Sequence, residues 1–310
     1  MPNCNFAIIC DSTCGLPSEL LTRLEVVCVP LSVTAQGRSW LDGEDNPAAA
    51  RAVRAAGHDV VVRRPDSAEI LSVYRCLAND GYKQIAVVCS SLEATGIWSE
   101  AEQAVAELEN PGVRIRTVDT GVASVASAMV IERLAMARAE GIEFDDAVDR
   151  ARAFSREVRF LYIPGPSAPF VQRASHRRRR GLLARALSLR LRMAGERTLY
   201  LLRSGEFTAL ARSADLADLC GRVAHAMSSV ASGSGELVYA VMEGTSPAAV
   251  RALEKPLDTN EFCSLFLGHA AASPSIMASV GTEAVGVGFA PMDAYLRAGV
   301  ADPLVNKSNE

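Results

Sequence analysis

Asp11, Ser12 and Thr13 place a carboxylate and two hydroxyls directly after the apolar run Ala7 to Cys10, in the stretch AIICDSTCGLPSEL. Such a set can seat a polar head group or cap a helix. With the thiol of Cys14 beside it, it can also support hydrolase or transferase chemistry in a crevice. A second set, Arg63 and Arg64 in VRRPD, offers guanidinium groups that hold a carboxylate or phosphate through paired hydrogen bonds. The same two residues also suit a solvated loop. A third polar stretch is the Ser-Ser turn ending at Ser91, which follows the apolar run QIAVVC and precedes a helical segment.

The elements that must position these groups follow from the apolar pattern. A short run such as FAIIC reads as a central strand covered on both faces, so its carboxyl-terminal polar residues meet a crevice. Gly15, Pro17, Ser18 and Glu19 then mark a turn and a helix amino terminus. The runs FAIIC, EVVCVPLSV, DVVVR, QIAVVCSS and VRIRTVDT alternate with helical segments at Ala48 to Ala56, Ser67 to Asn79, Gly96 to Leu108 and Val122 to Glu140. That rhythm predicts an amino-terminal parallel sheet flanked by helices. After about Phe160 the texture changes. YIPGPSAPF reads as a linker or surface excursion, and RTLYLLRSGEFTAL predicts a hairpin at Ser204-Gly205. A helix over Ser213 to Ser229, the strand GELVYAVMEG and a late strand AVGVGFAP predict a second α/β lobe with antiparallel strands. The expected domains are residues 1–160 and 161–305.

A chain of 310 residues is long for a single core and suits two lobes. The net charge of -4 gives no general bias toward nucleic acid, and no apolar run approaches the length of a membrane span. With no basic, apolar leader, the expected location is cytoplasmic. Eight cysteines lie scattered without a C-x-x-C pair, so neither metal spacing nor a disulfide framework is indicated. The four histidines, His58, His176, His225 and His269, sit in no catalytic motif, and there is no Walker or Rossmann glycine fingerprint. No metal and no cofactor are expected. The basic run HRRRRG, His176 to Gly181, reads first as a solvated helix face, next as a surface for an acidic partner or anionic membrane, and last, given the acidic total, as a nucleic-acid contact.

Four stretches in order, CDSTCGLPSEL, VVCVPLSVTAQGRSWLDGED, VVCSSLEATGIWSEAEQA and VASVASAMVIERLAMARAEG, resemble the DegV family. The likeness extends over nearly the whole chain and weakens toward its end, where LRSGEFTALARSA and SVGTEAVGVGF still match. It implies a two-lobe fold that holds a fatty acid, with the acyl chain in a tunnel and the carboxyl group at the lobe junction. It also implies a substrate-binding role beside a fatty acid kinase subunit, without catalysis by this chain. The ligand-binding residues expected on this basis are Asp11, Ser12, Thr13, Arg63, Arg64, Ser91, Thr95, Gly96 and Ser279. Arg212 matches the family arginine that faces the kinase subunit.

The sequence departs from the family at the head group. Thr95-Gly96 lies over the family's Ser-Gly, with Ile97 over its Thr. Val62 stands where a second ligand-binding Thr is usual, and Ser279 replaces the usual histidine. Losing polar partners to a buried carboxylate is costly, so other donors or a different head group must compensate. A lipid or acyl hydrolase, a transferase, or a carrier of another apolar acid are the alternative readings.

Overall fold

The computed structural model describes residues 6–43, 47–57, 59–91, 97–109, 112–166, 168, 195–259 and 262–299. In the first lobe, β1 (Ala7–Asp11), β2 (Val26–Val29), β6 (Gln84–Cys89) and β7 (Arg114–Asp119) form a parallel sheet of order β2-β1-β6-β7. β1 is central, pairing Cys10 with Cys28 on one side and with Val88 on the other. Its side chains alternate between two cores. Ile8 and Cys10 face the cluster around the long helix α5 (Val125–Ala139), whereas Ala7 and Ile9 face α3 (Ser67–Asn79) and α4 (Trp98–Ala106). Burial on both faces explains the unbroken apolar run.

Two of the strand-like runs do not join this sheet as expected. Val60–Arg63 forms β5, which pairs antiparallel with β3 (Ser32–Ala35); β4 (Arg38–Leu41) covers the other side of β3. In EVVCVPLSV, Pro30 separates β2 from β3, which belong to different sheets. The physical difference is exposure. β5 alternates between half-buried and exposed residues, the pattern of a sheet with one wet face. Gln36 and Gly37, at φ 52° and 73°, make the tight turn that joins β3 to β4.

The second lobe is a six-stranded mixed sheet of order β10-β9-β8-β13-β11-β12, built from β8 (Arg159–Ile163), β9 (Arg197–Arg203), β10 (Glu206–Ser213), β11 (Leu237–Glu243), β12 (Ser264–Ala271) and β13 (Val285–Pro291). Among the described residues of this sheet, only β11 and β12 pair in parallel, across the helix α8 (Pro247–Asp258). The expected hairpin is present. Ser204 and Gly205 adopt φ 50° and 76° between Arg203 and Glu206, the mirror-image turn that matches strand twist. The helix expected over Ser213 to Ser229 runs from Leu216 to Ser234 and is α7, capped by Asp215. No described helix is long and apolar enough to cross a membrane.

Several contacts join the lobes. Helix α5 has eleven of its fifteen residues buried, so it serves as shared core rather than as a surface helix. It lies against β13, where a Cβ on Gly288 would come within 2.7 Å of the Ala126 backbone. The Ser204-Gly205 tip docks on the loop after β7, with the Gly205 N–H donating to the Gly121 carbonyl at 2.9 Å. Helix α9 (Pro274–Val280) of the second lobe packs on α2 (Pro47–Ala56), β3 and β5 of the first. One hydrophobic cluster therefore runs through both lobes, from Val33 and Val53 to Ile276, Met277 and Val280.

Candidate functional site

The strand ends of β1, β6 and β7 meet beside the start of α5. β1 delivers Asp11 as the cap of a short 3-10 turn, Ser12–Cys14, which closes on Gly15 in the left-handed conformation. Gly15 is required twice over. Its φ is +72°, and a Cβ there would stand 2.9 Å from the backbone of Ser124 and Val125. The Ser124 N–H donates to the Thr13 carbonyl at 2.9 Å, which fixes the turn to the helix start.

Asp11 is fully buried. One carboxylate oxygen accepts from the Thr13 N–H at 2.9 Å and from the Thr13 hydroxyl; the other accepts from the Ser90 N–H at 2.9 Å. Burial pushes its pKa above the ordinary carboxylate value, against the opposing pull of these donors. Ser12 accepts from the Leu31 N–H at 3.0 Å and donates to Asp42 at 2.8 Å. The three residues thus tie together the ends of β1 and β6, the β2–β3 connection and the residue after β4. Their side chains form a framework that binds these strand ends together, with their hydrogen bonds directed inward.

Ser91 is only half-buried. Its N–H donates to the Val122 carbonyl at 2.8 Å and its hydroxyl donates to Asp119, which also accepts from the Gly121 N–H at 3.0 Å. Thr95 and Gly96 lie outside the described residues, as does the basic run 176–181. Ser279 is 8% exposed in the last turn of α9. Val62, on the inner face of β5, packs against both the cluster shared by the lobes and the one around α3 and α4, so the position of the missing hydroxyl is apolar. Arg212 is exposed on the edge strand β10.

Arg63 and Arg64 are not open clamps in this structure. Arg63 holds Glu69 through two hydrogen bonds, at 2.7 and 3.0 Å, and Glu69 completes the capping box of α3 with Asp66. The Arg63 guanidinium, aided by the Asp66 N–H, pulls the Glu69 carboxyl down to about 2. Arg64 pairs with Glu100 in the first turn of α4 at 3.2 Å. The local reason is that two helices begin beside β5, and their acidic first turns attract the adjacent cations. The Arg63–Glu69 side chains are 58% and 46% exposed, so the pair contributes little to stability.

The thiol of Cys14 is buried, with its sulfur 3.7 Å from that of Cys10. Of the two described histidines, His225 lies on α7, and His269 on β12 contacts Glu243 at 2.7 Å and Glu254 at 3.4 Å. Sequence reasoning missed Asp42, Ser273 and Ser275, whose side chains meet beside Ser12. The signals were available: Ser-Pro-Ser at 273–275 is a helix-start pattern, and Asp42-Gly43 closes the β4 stretch.

Known proteins share both the sequence pattern and this architecture. A family model described as "Uncharacterised protein, DegV family" matches residues 5–292. A DegV domain-containing protein of Streptomyces coelicolor is 31% identical over 147 residues, 47% of this chain and 50% of the relative. One from Listeria monocytogenes is 27% identical over 129 residues, 41% of this chain and 45% of the relative. The matched stretch therefore spans about half the length of these curated relatives.

Among solved structures, a Thermus thermophilus DegV family protein described by its fatty acid binding superposes with a TM-score of 0.78 at 21% identity, over 93% of this chain and 99% of that one. A stearic acid-binding protein of Eubacterium ventriosum gives 0.76 at 18% identity, over 94% and 99%. At these identities the structures show a common fold. That fold and the family match along nearly the whole sequence agree: the chain belongs to the DegV family.

Proposed function

We propose that this chain binds a long-chain fatty acid or similar acyl ligand between its lobes and presents the head group without performing catalysis itself. The observation that carries this reading is the shared two-lobe architecture with DegV proteins described as fatty-acid-binding and stearic acid-binding, over 99% of their chains. The geometry supports it. Polar strand ends border an apolar cluster common to both lobes, as a ligand with one polar end and a long apolar chain requires.

In this reading Asp11, Ser12 and Thr13 set the frame, and Ser91, Thr95, the amide of Gly96 and Ser279 supply the head-group contacts. Presentation to a fatty acid kinase subunit, with Arg212 on the partner-facing edge, belongs to the same proposal, as does a cytoplasmic location. The covalent chemistry would then be the partner's.

The carboxylate partners of Arg63 and Arg64 lead to a specific expectation. A fluorescent fatty acid should bind the purified chain and be displaced by the free acid better than by its methyl ester. The Arg63→Met, Arg64→Met double variant should keep that preference within about twofold, because both guanidinium groups already serve helix starts. Collapse of the acid-to-ester ratio in that variant would instead return the arginines to the head group.

A further inference from the structure

Asp42 follows β4 in the first lobe, yet the second lobe supplies most of its partners. One carboxylate oxygen accepts from the Ser275 N–H at 2.9 Å. The other accepts from the hydroxyls of Ser275 at 2.5 Å, Ser12 at 2.8 Å and Ser273 at 3.2 Å. The Asp42 N–H donates to the Leu31 carbonyl at 2.7 Å, which anchors the residue to the β2–β3 connection. Asp42 is 5% exposed, and four donors converge on its two oxygens.

The grip falls on a specific place in α9. Ser273 is its cap and Ser275 lies in its first turn. Ser279 is four residues further on, so it sits on the same face about 6 Å along the axis. On the other side of the carboxylate is Ser12, in the turn that frames the first lobe's strand ends. We infer that Asp42 is a positioning residue for the head-group site, seating α9 and its Ser279 against the Asp11–Ser12–Thr13 turn so that both lobes present one fixed geometry. The inference rests on the acyl-carboxylate reading above and assigns a role to a residue outside the head-group set.

Charge and shape both enter. Four converging donors match a carboxylate, whereas the isosteric amide of Asp42→Asn either turns its NH2 toward the Ser275 N–H or places it among the three serine hydroxyls, which must then reverse and give up the bonds they donate. The helix should then lose its fixed seat while the apolar contacts of Ile276, Met277 and Val280 keep it docked. Ser275→Ala weakens the same grip from the other side and leaves the carboxylate in place.

The test has a ligand-free arm and a binding arm on the full chain. By hydrogen–deuterium exchange, amides of α9 in Asp42→Asn and Ser275→Ala should exchange about tenfold faster, with those of α6 (Phe144–Ser155) unchanged. Unaltered α9 exchange in both variants overturns the clasp. In competition against a fluorescent fatty acid, Asp42→Asn should weaken the free acid about tenfold and its methyl ester less than twofold. In a Ser279→Ala background the further loss from Asp42→Asn should be less than twofold, because the group being positioned is gone. Equal losses for acid and ester, or additive losses in the double variant, reduce Asp42 to a structural clasp. A parent chain that binds neither acid nor ester overturns the acyl-site reading and the positioning role with it, while the exchange arm still decides whether Asp42 holds α9.

Discussion

Gly288→Ala is expected to destabilise the folded chain by about 3 kcal/mol, at the upper end of what overpacking a core usually costs. Gly288 lies in β13, paired with Phe160 of β8 and Ala240 of β11, so its strand is held on both sides. A Cβ there would stand 2.7 Å from both Cα and N of Ala126 and 3.0 Å from its Cβ. These are backbone atoms in the first turn of α5, and no rotamer change can move them away. Relief requires shifting a helix buried on nearly all sides, which disturbs both lobes together. Urea denaturation should show a lower midpoint with an unchanged slope. Gly43→Ala is the control: nothing among the described residues lies within 4 Å of that added Cβ, and its effect should stay within about 0.5 kcal/mol. A loss under about 1 kcal/mol at Gly288 would mean that the helix–sheet contact yields easily.

The second large effect belongs to Asp11. Removing its carboxylate by Asp11→Ala leaves the N–H groups of Thr13 and Ser90 without their acceptor, and the expected loss is about 3 kcal/mol. Asp11→Asn should cost nearly as much, because the amide must turn an N–H toward one of those donors. The pH dependence has a defined sign. Burial raises the folded-state pKa of Asp11, and of Asp42 likewise, so the folded chain binds these protons more readily than the unfolded chain. Their contribution is present in full below the ordinary carboxylate pKa of about 4 and is lost as pH rises through the folded values.

Glu69, held down to about 2 by Arg63, acts with the opposite sign, and its contribution is lost only as pH falls from about 4. The stability advantage of the parent over Asp11→Asn should therefore shrink as pH is raised from about 4 toward neutrality. Denaturation at several pH values checks this, and an advantage that grows over that range would contradict it.

Much of this architecture could be read before any coordinates. β1 announced itself because a strand covered on both faces must be apolar at every position, and Ser204-Gly205 because two consecutive left-handed residues suit few sequences. β5 misled because VVVR is apolar enough for a central strand, while its real partner, β3, is set by the Gln36-Gly37 turn and the break at Pro30. At the site, the importance of Asp11 and Ser12 was visible from their place at a strand end. Their role as framework was not, because the acceptors and donors that occupy them lie 30 and 79 residues away. Arg63 looked free in sequence for a similar reason. Its partner Glu69 is defined by the cap of the next helix, and only the fold brings the two side chains together. Asp42 and Ser275 are separated by 233 residues, and no local pattern joins them.

Occupancy of the chain by an acyl ligand tests the central claim most directly. Native mass spectrometry of the purified protein, followed by organic extraction, should find one long-chain carboxylic acid or related acyl lipid per chain, and delipidated protein should take up a fluorescent fatty acid with the same stoichiometry. A correctly folded chain that carries no lipid and binds no fatty acid would contradict the account.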